Sequence, residues 1–167
     1  MTQFEEIKKE LEHTLSASRF LHTLGVVETA EQLAVIHGVD RTKVRLAALL
    51  HDAGKPFASN LEHAGKSVQI AKERFGITDS EILDAILYHT TGRPNMSKLE
   101  KIIFIADYIE PNRKKAPNLE ILRQMACENL DQCVGMITKA TLDYLIDTKV
   151  AFIDPLTEQT YHFYKER

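Results

Sequence analysis

The stretch LAALLHDAGKP, residues 46–56, restricts the possible folds more than any other part of this 167-residue chain. Five consecutive apolar side chains, Leu46 to Leu50, leave an α-helix no face for water, so a helix here has to be enclosed by other elements. Asp40 can cap its start, and Gly54 and Pro56 stop it. The run predicts the central helix of a multi-helix globule. It also delivers a histidine and an aspartate, His51 and Asp52, to the C-terminal end of that helix.

Helices to enclose it are readable on both sides. Thr2 and Glu5 form a capping box ahead of Phe4, Ile7, Leu11 and Leu15 on one helical face. Ser16 or Ser18 caps a second helix carrying Leu21, Leu24, Val27, Leu33 and Ile36, with Gly38 at its stop. A fourth helix is expected over about Leu61 to Phe75, ending at Gly76, and a fifth follows a Thr78, Asp79 or Ser80 cap. The loop TTGRPNM leads to a second capping box, Ser97 with Glu100, which opens an apolar helix through Ile102, Ile103, Ile105 and Ile109 that Pro111 ends. Beyond it lie a helix from Asn118, a long one over about Leu130 to Thr148, and a terminal one behind Asp154-Pro155. Seven glycines and five prolines leave little room for long loops. The expectation is one all-α domain over residues 1–167, a bundle of about eight or nine helices.

Composition excludes several roles. With a net charge of −3 and no polybasic tract, neither nucleic acid nor an anionic membrane is an expected partner. MTQFEEIKKELEH alternates charged and apolar residues, unlike a signal peptide or a membrane span, so a cytoplasmic location is expected. Cys127 and Cys133, six apart, fit neither a zinc pair nor a disulfide framework and read as free thiols. Arg93 and Lys114 are weaker candidates for a binding role than the residues named below.

Chemistry concentrates in an ordered series: His22, His51-Asp52, His63, His89 and Asp107. Neutral imidazole and carboxylate both suit divalent transition metals, and each of these residues lies on or beside a helix. Asp107 falls in an otherwise apolar helix, where an acid needs a partner.

His22, His51, Asp52 and Asp107 reproduce the pattern of the HD-domain metal-dependent phosphohydrolases, and most of the chain resembles that family. More narrowly, HTLGV at 22–26, LAALLHDAGKPF at 46–57, the two intermediate histidines and DYIEPNR at 107–113 resemble the bacterial YqeK-type symmetrical dinucleoside tetraphosphatases. The resemblance implies a hydrolase that splits diadenosine tetraphosphate into two ADP, with iron, or else manganese or cobalt, in its site. It implies that His22, His51, Asp52 and Asp107 hold the metal and that a bound water of lowered pKa attacks phosphorus. Asp52, His63 and His89 are the expected catalytic groups, with the two histidines contacting phosphate or protonating the leaving ADP; ligation of a second metal is the alternative for them. His22, Asp52, Lys55, His63, His89, Asp107, Tyr108 and Arg113 are expected to bind substrate, with ADP or GDP as a product-like ligand. A homodimer stays open. The competing readings are an HD nucleotidase or cyclic-nucleotide phosphodiesterase, and an inactive nucleotide-binding HD module.

Overall fold

Side-chain capping sets most of the helix starts in the computed structural model, which describes residues Met1–Arg167. The Thr2–Glu5 capping box opens α1 (Gln3–Thr14), and Ser16 accepts from Arg19 N–H to open α2 (Ala17–His37), which ends with Gly38 in the left-handed region. Asp40 opens α3 (Arg41–Leu50) by accepting from Lys43 N–H. Next come α4 (His63–Glu73) and α5 (Ser80–Leu87), the latter capped by Asp79. The Ser97–Glu100 box opens α6 (Lys98–Ile109). Finally come α7 (Leu119–Glu128), α8 (Leu130–Asp147) and α9 (Pro155–Tyr164). There are nine α-helices and no strand, as the sequence pattern predicts. No helix is long and apolar enough to cross a membrane.

Two local departures from expectation have simple causes. A three-residue 3-10 turn, Lys55–Phe57, follows α3, because Pro56 cannot continue an α-helix and Gly54 and Ala58 bracket it. And α4 starts at His63 instead of Leu61: Glu62 offers no capping side chain, and a turn on Ser59 O takes up the N–H groups of Glu62 and His63.

α3 and α6 lie innermost. α3 packs against α1, α2, α4, α5 and α6, and Val44 and Leu46 to Leu50 are all buried. α6 packs against α2, α3, α5, α7 and α8, burying Leu99, Ile102, Ile103, Phe104, Ile105 and Ile109. β-Branched isoleucine costs a helix up to ~0.7 kcal/mol relative to alanine, whereas burying such a side chain gains roughly 1.5–3 kcal/mol, so packing decides the state of α6. The apolar core is one contiguous cluster running through both helices. His51 and Asp107, near the C-terminal ends of α3 and α6, therefore meet inside it.

Candidate metal centre

Four histidines and two aspartates from five neighbouring helices converge at one place. His22 comes from α2, His51 and Asp52 from the end of α3, His63 from the first residue of α4, His89 from just beyond α5, and Asp107 from α6. One ligand atom each from His22, His51, Asp52 and Asp107 lie within 4.8 Å of one another, and the same holds for Asp52, His63 and His89. Asp52 belongs to both groups through different oxygens. Its Oδ2 faces His51 Nε2 at 3.2 Å and His22 Nε2 at 3.6 Å, while its Oδ1 faces His63 Nε2 at 3.3 Å and His89 Nε2 at 3.4 Å. Asp107 Oδ1 completes the first group, 2.8 Å from His22 Nε2 and 3.2 Å from His51 Nε2.

The far side of each imidazole fixes its tautomer. Nδ1 donates to Ala48 O in His51 (2.6 Å), to Asn60 O in His63 (2.9 Å), to Ile86 O in His89 (2.7 Å) and to a Glu110 carboxylate oxygen in His22 (2.8 Å). Each of these oxygens only accepts, so every Nδ1 carries hydrogen and every neutral ring aims the lone pair of Nε2 inward. The Nε2 atoms of His63 and His89 approach to 3.0 Å in this way, an arrangement that favours positive charge beside them.

Local electrostatics point the same way. Burial disfavours the imidazolium of His51, but Asp52 and Asp107 outweigh it and raise its pKa well above the ordinary value. Burial also works against ionisation of both acids. His51, His63 and His89 nevertheless hold Asp52 well below the usual carboxylate range, and His22 and His51 do the same for Asp107. Six inward lone-pair donors of nitrogen and oxygen type, with outer partners already fixing the rings, suit a divalent transition metal.

Other residues singled out from the sequence have varied fates. Arg113 lies over the Tyr108 ring at 5.2 Å, beside Asp107. Lys55 donates to Asn60 Oδ1 at 2.9 Å, the residue whose carbonyl holds His63. Arg93 is engaged structurally: it grips buried Glu100 through two 2.8 Å bonds and stacks on Tyr88, tying α5 to the start of α6. Two residues escaped the sequence reading. Arg19 donates from Nη1 to Asp52 Oδ2 at 3.1 Å, and Glu110 supports His22. Their signal was spacing, since Arg19 precedes His22 and Glu110 follows Asp107 by three residues, one helical turn on the same face.

Gly54 shows how tightly the site is assembled. Its N–H donates to Ser67 Oγ at 2.8 Å, and a Cβ on it would lie 2.6 Å from both His63 O and Ser67 N. Only glycine lets the start of α4, and hence His63, come this close to the end of α3.

A helical bundle whose core holds a His-Asp pair, a lone upstream histidine and a late aspartate defines a metal-dependent HD-type centre, and the family model for the HD domain matches residues 19–112. The symmetrical bis(5'-nucleosyl)-tetraphosphatase of Halalkalibacterium halodurans is 39% identical over 169 residues, covering 89% of each chain. Its counterpart from Staphylococcus aureus is 37% identical, covering 87% of each. A crystal structure described as a predicted HD superfamily hydrolase involved in NAD metabolism, from Clostridium acetobutylicum, superposes with a TM-score of 0.91 at 34% identity, covering 100% of this chain and 99% of that one. The chain belongs to the HD-domain family and, within it, to the symmetrical bis(5'-nucleosyl)-tetraphosphatases.

Proposed function

We propose that residues 1–167 act as one HD-type domain that hydrolyses diadenosine tetraphosphate, and related dinucleoside polyphosphates, symmetrically to two ADP. The observation that carries the reading is the division of Asp52, one carboxylate oxygen turned to each group of inward-facing ligands. In this reading His22, His51, Asp52 and Asp107 hold a divalent ion, iron being our assignment. Such an ion supplies Lewis-acid polarisation of a phosphoryl oxygen and a water of lowered pKa.

The chain's own residues do the rest. Asp52, His63 and His89 are the catalytic groups, the histidines in their imidazolium form donating from Nε2 a hydrogen bond to a phosphate oxygen or a proton to the departing ADP. Arg19, reaching the same carboxylate as the metal ligands, neutralises phosphate charge at the point of attack. Lys55, Tyr108 and Arg113 bind further along the substrate, with Arg113 stacked on Tyr108 so that a fork of donors is presented in fixed orientation. His22 and Asp107 border the same phosphate site. We further propose a cytoplasmic enzyme, with neither nucleic acid nor membrane as partner, in which a homodimer is open to test.

The 3.0 Å approach of His63 and His89 beside Asp52 Oδ1 favours a second reading for those two, ligation of a second ion bridged by Asp52. Metal analysis decides between them: one equivalent per chain supports phosphate contact, and two support the bridged pair. For the activity, protein loaded with iron or manganese is incubated with diadenosine tetraphosphate and the products are resolved by ion exchange. ADP alone supports symmetrical hydrolysis. ATP with AMP overturns the point of attack, and cleavage of mononucleotides or cyclic nucleotides in its place favours the other HD activities.

A further inference from the structure

Glu110 is a buried acid, 2% exposed, with an ion-pair partner in His22 alone. It lies outside both groups of inward ligands. A carboxylate is costly to bury, so its placement calls for a reason. Its surroundings are built around it. Oε2 accepts from His22 Nδ1 at 2.8 Å, and Oε1 accepts from Asn112 N–H at 2.5 Å. Gly25, on α2 three residues beyond His22, gives it space: a Cβ there would lie 2.6 Å from Oε1. Asn112 Nδ2 donates to Leu21 O at 3.3 Å, tying this segment back to α2. From outside, Arg123 of α7 donates to the carbonyls of Ile109, Glu110 and Arg113 at 2.8–3.0 Å, bracing the turn that carries the acid.

His22 is the only one of the four inward histidines treated this way. His51, His63 and His89 each donate to the carbonyl three residues earlier. His22 sits inside the long α2, where carbonyls are taken by the helix, so its outer nitrogen needs a partner from another element. A carboxylate does more than a carbonyl there. It holds the tautomer, and its charge also raises the basicity of the opposite nitrogen.

We infer that Glu110 is the positioning residue of the metal centre: it orients His22 and strengthens its Nε2 as a ligand, with Gly25 kept small so that the acid can reach. This rests on the reading of His22 as a metal ligand. The test measures Co2+ affinity of the purified full-length protein by chelator competition, without nucleotide, together with the visible spectrum of the Co2+ form. Glu110→Gln keeps the shape and removes the charge, so affinity is expected to fall roughly 10–100-fold with a shifted spectrum. Gly25→Ala, which displaces the acid without changing its chemistry, is expected to act in the same direction.

In a double-mutant cycle, Glu110→Gln is expected to add nothing once His22→Ala has been made. Wild-type affinity and spectrum in Glu110→Gln, alongside weakened binding in His22→Ala, would overturn the inference alone. So would a lower melting temperature of metal-free Glu110→Gln with unchanged affinity, because that marks a purely structural acid. Full affinity in His22→Ala would remove the ligand set on which both rest.

Discussion

Gly54→Ala probes the placement of His63 without changing the chemistry of any charged or inward-facing side chain. Gly54 has φ −84° and ψ −9°, which alanine adopts freely, so the substitution acts through space alone. The added methyl would meet two backbone atoms of α4 at 2.6 Å, His63 O and Ser67 N, and no rotamer change can move them. Restoring an ordinary contact of 3.4 Å shifts the start of α4 by just under ~1 Å away from the end of α3. Overpacking of this kind costs roughly 1–3 kcal/mol, and each kcal/mol lowers the melting temperature by roughly 2–4 °C in a chain of this size. A displacement of that size at a catalytic group costs on the order of 10²-fold in turnover. The four residues proposed to hold the metal, His22, His51, Asp52 and Asp107, come from α2, the end of α3 and α6, so at least one metal equivalent is expected to remain. Gly65→Ala, in the same helix with nothing within 4 Å of the added methyl, is the control and is expected to raise stability by roughly 0.4–1 kcal/mol. The assays are thermal denaturation, metal content and ADP release from diadenosine tetraphosphate. Full turnover in Gly54→Ala, with the melting temperature lowered as expected, would refute the argument that this contact sets the working position of His63.

Three further outcomes are expected. His51→Ala and Asp107→Ala each remove a ligand from the first group, and metal content and turnover are expected to fall together; retained metal with full activity in either variant would remove these residues from the centre. Tyr164→Phe deletes the hydroxyl that accepts from buried Met96 N–H at 2.7 Å, leaving that donor unpaired at a cost of roughly 1–3 kcal/mol; the melting temperature should fall while turnover of the folded protein stays unchanged. Burial pushes the Cys133 thiol up to about 12, so at pH 8 it stays protonated and shielded while Cys127 is exposed. One thiol per folded chain should react rapidly with a chromogenic disulfide, and the second only in denaturant.

The fold was legible because its boundaries are written in side chains that do a local job. Thr2, Asp40, Ser97 and Asp154 each accept from a backbone N–H at the helix start that the sequence assigns to them, and Ser16 and Asp79 do so as one each of the two or three neighbouring candidates the sequence offers. Where such a residue is missing, as at Glu62, the boundary was misplaced by two positions, because Leu61 continues the apolar rhythm but is largely exposed. The inward members of the site were legible for a related reason. Histidine and aspartate within apolar segments stand out from their neighbours, and ligand chemistry narrows what they can be doing. Arg93 was harder to read, because the partner that occupies it, Glu100, shares no pattern with it in sequence.

Much of what positions the site has no residue identity to read. The oxygens that fix His51, His63 and His89 are backbone carbonyls of Ala48, Asn60 and Ile86, and any residue at those positions would present the same atom. Each lies three residues before its histidine: for His51 and His89 the turn that ends a helix presents the carbonyl to the ring, and for His63 the turn ahead of α4 does so. This accounts for the position of His51 and His89 at the ends of α3 and α5, where the turn that terminates the helix also orients the side chain. His22 breaks the pattern by sitting within a helix, and the chain meets that difference with a second charged residue 88 positions away. Local geometry supports three of the rings and tertiary geometry the fourth. The support of His22 therefore depends on the packing of α2 against α6, an interface to which neither residue's local sequence alone points.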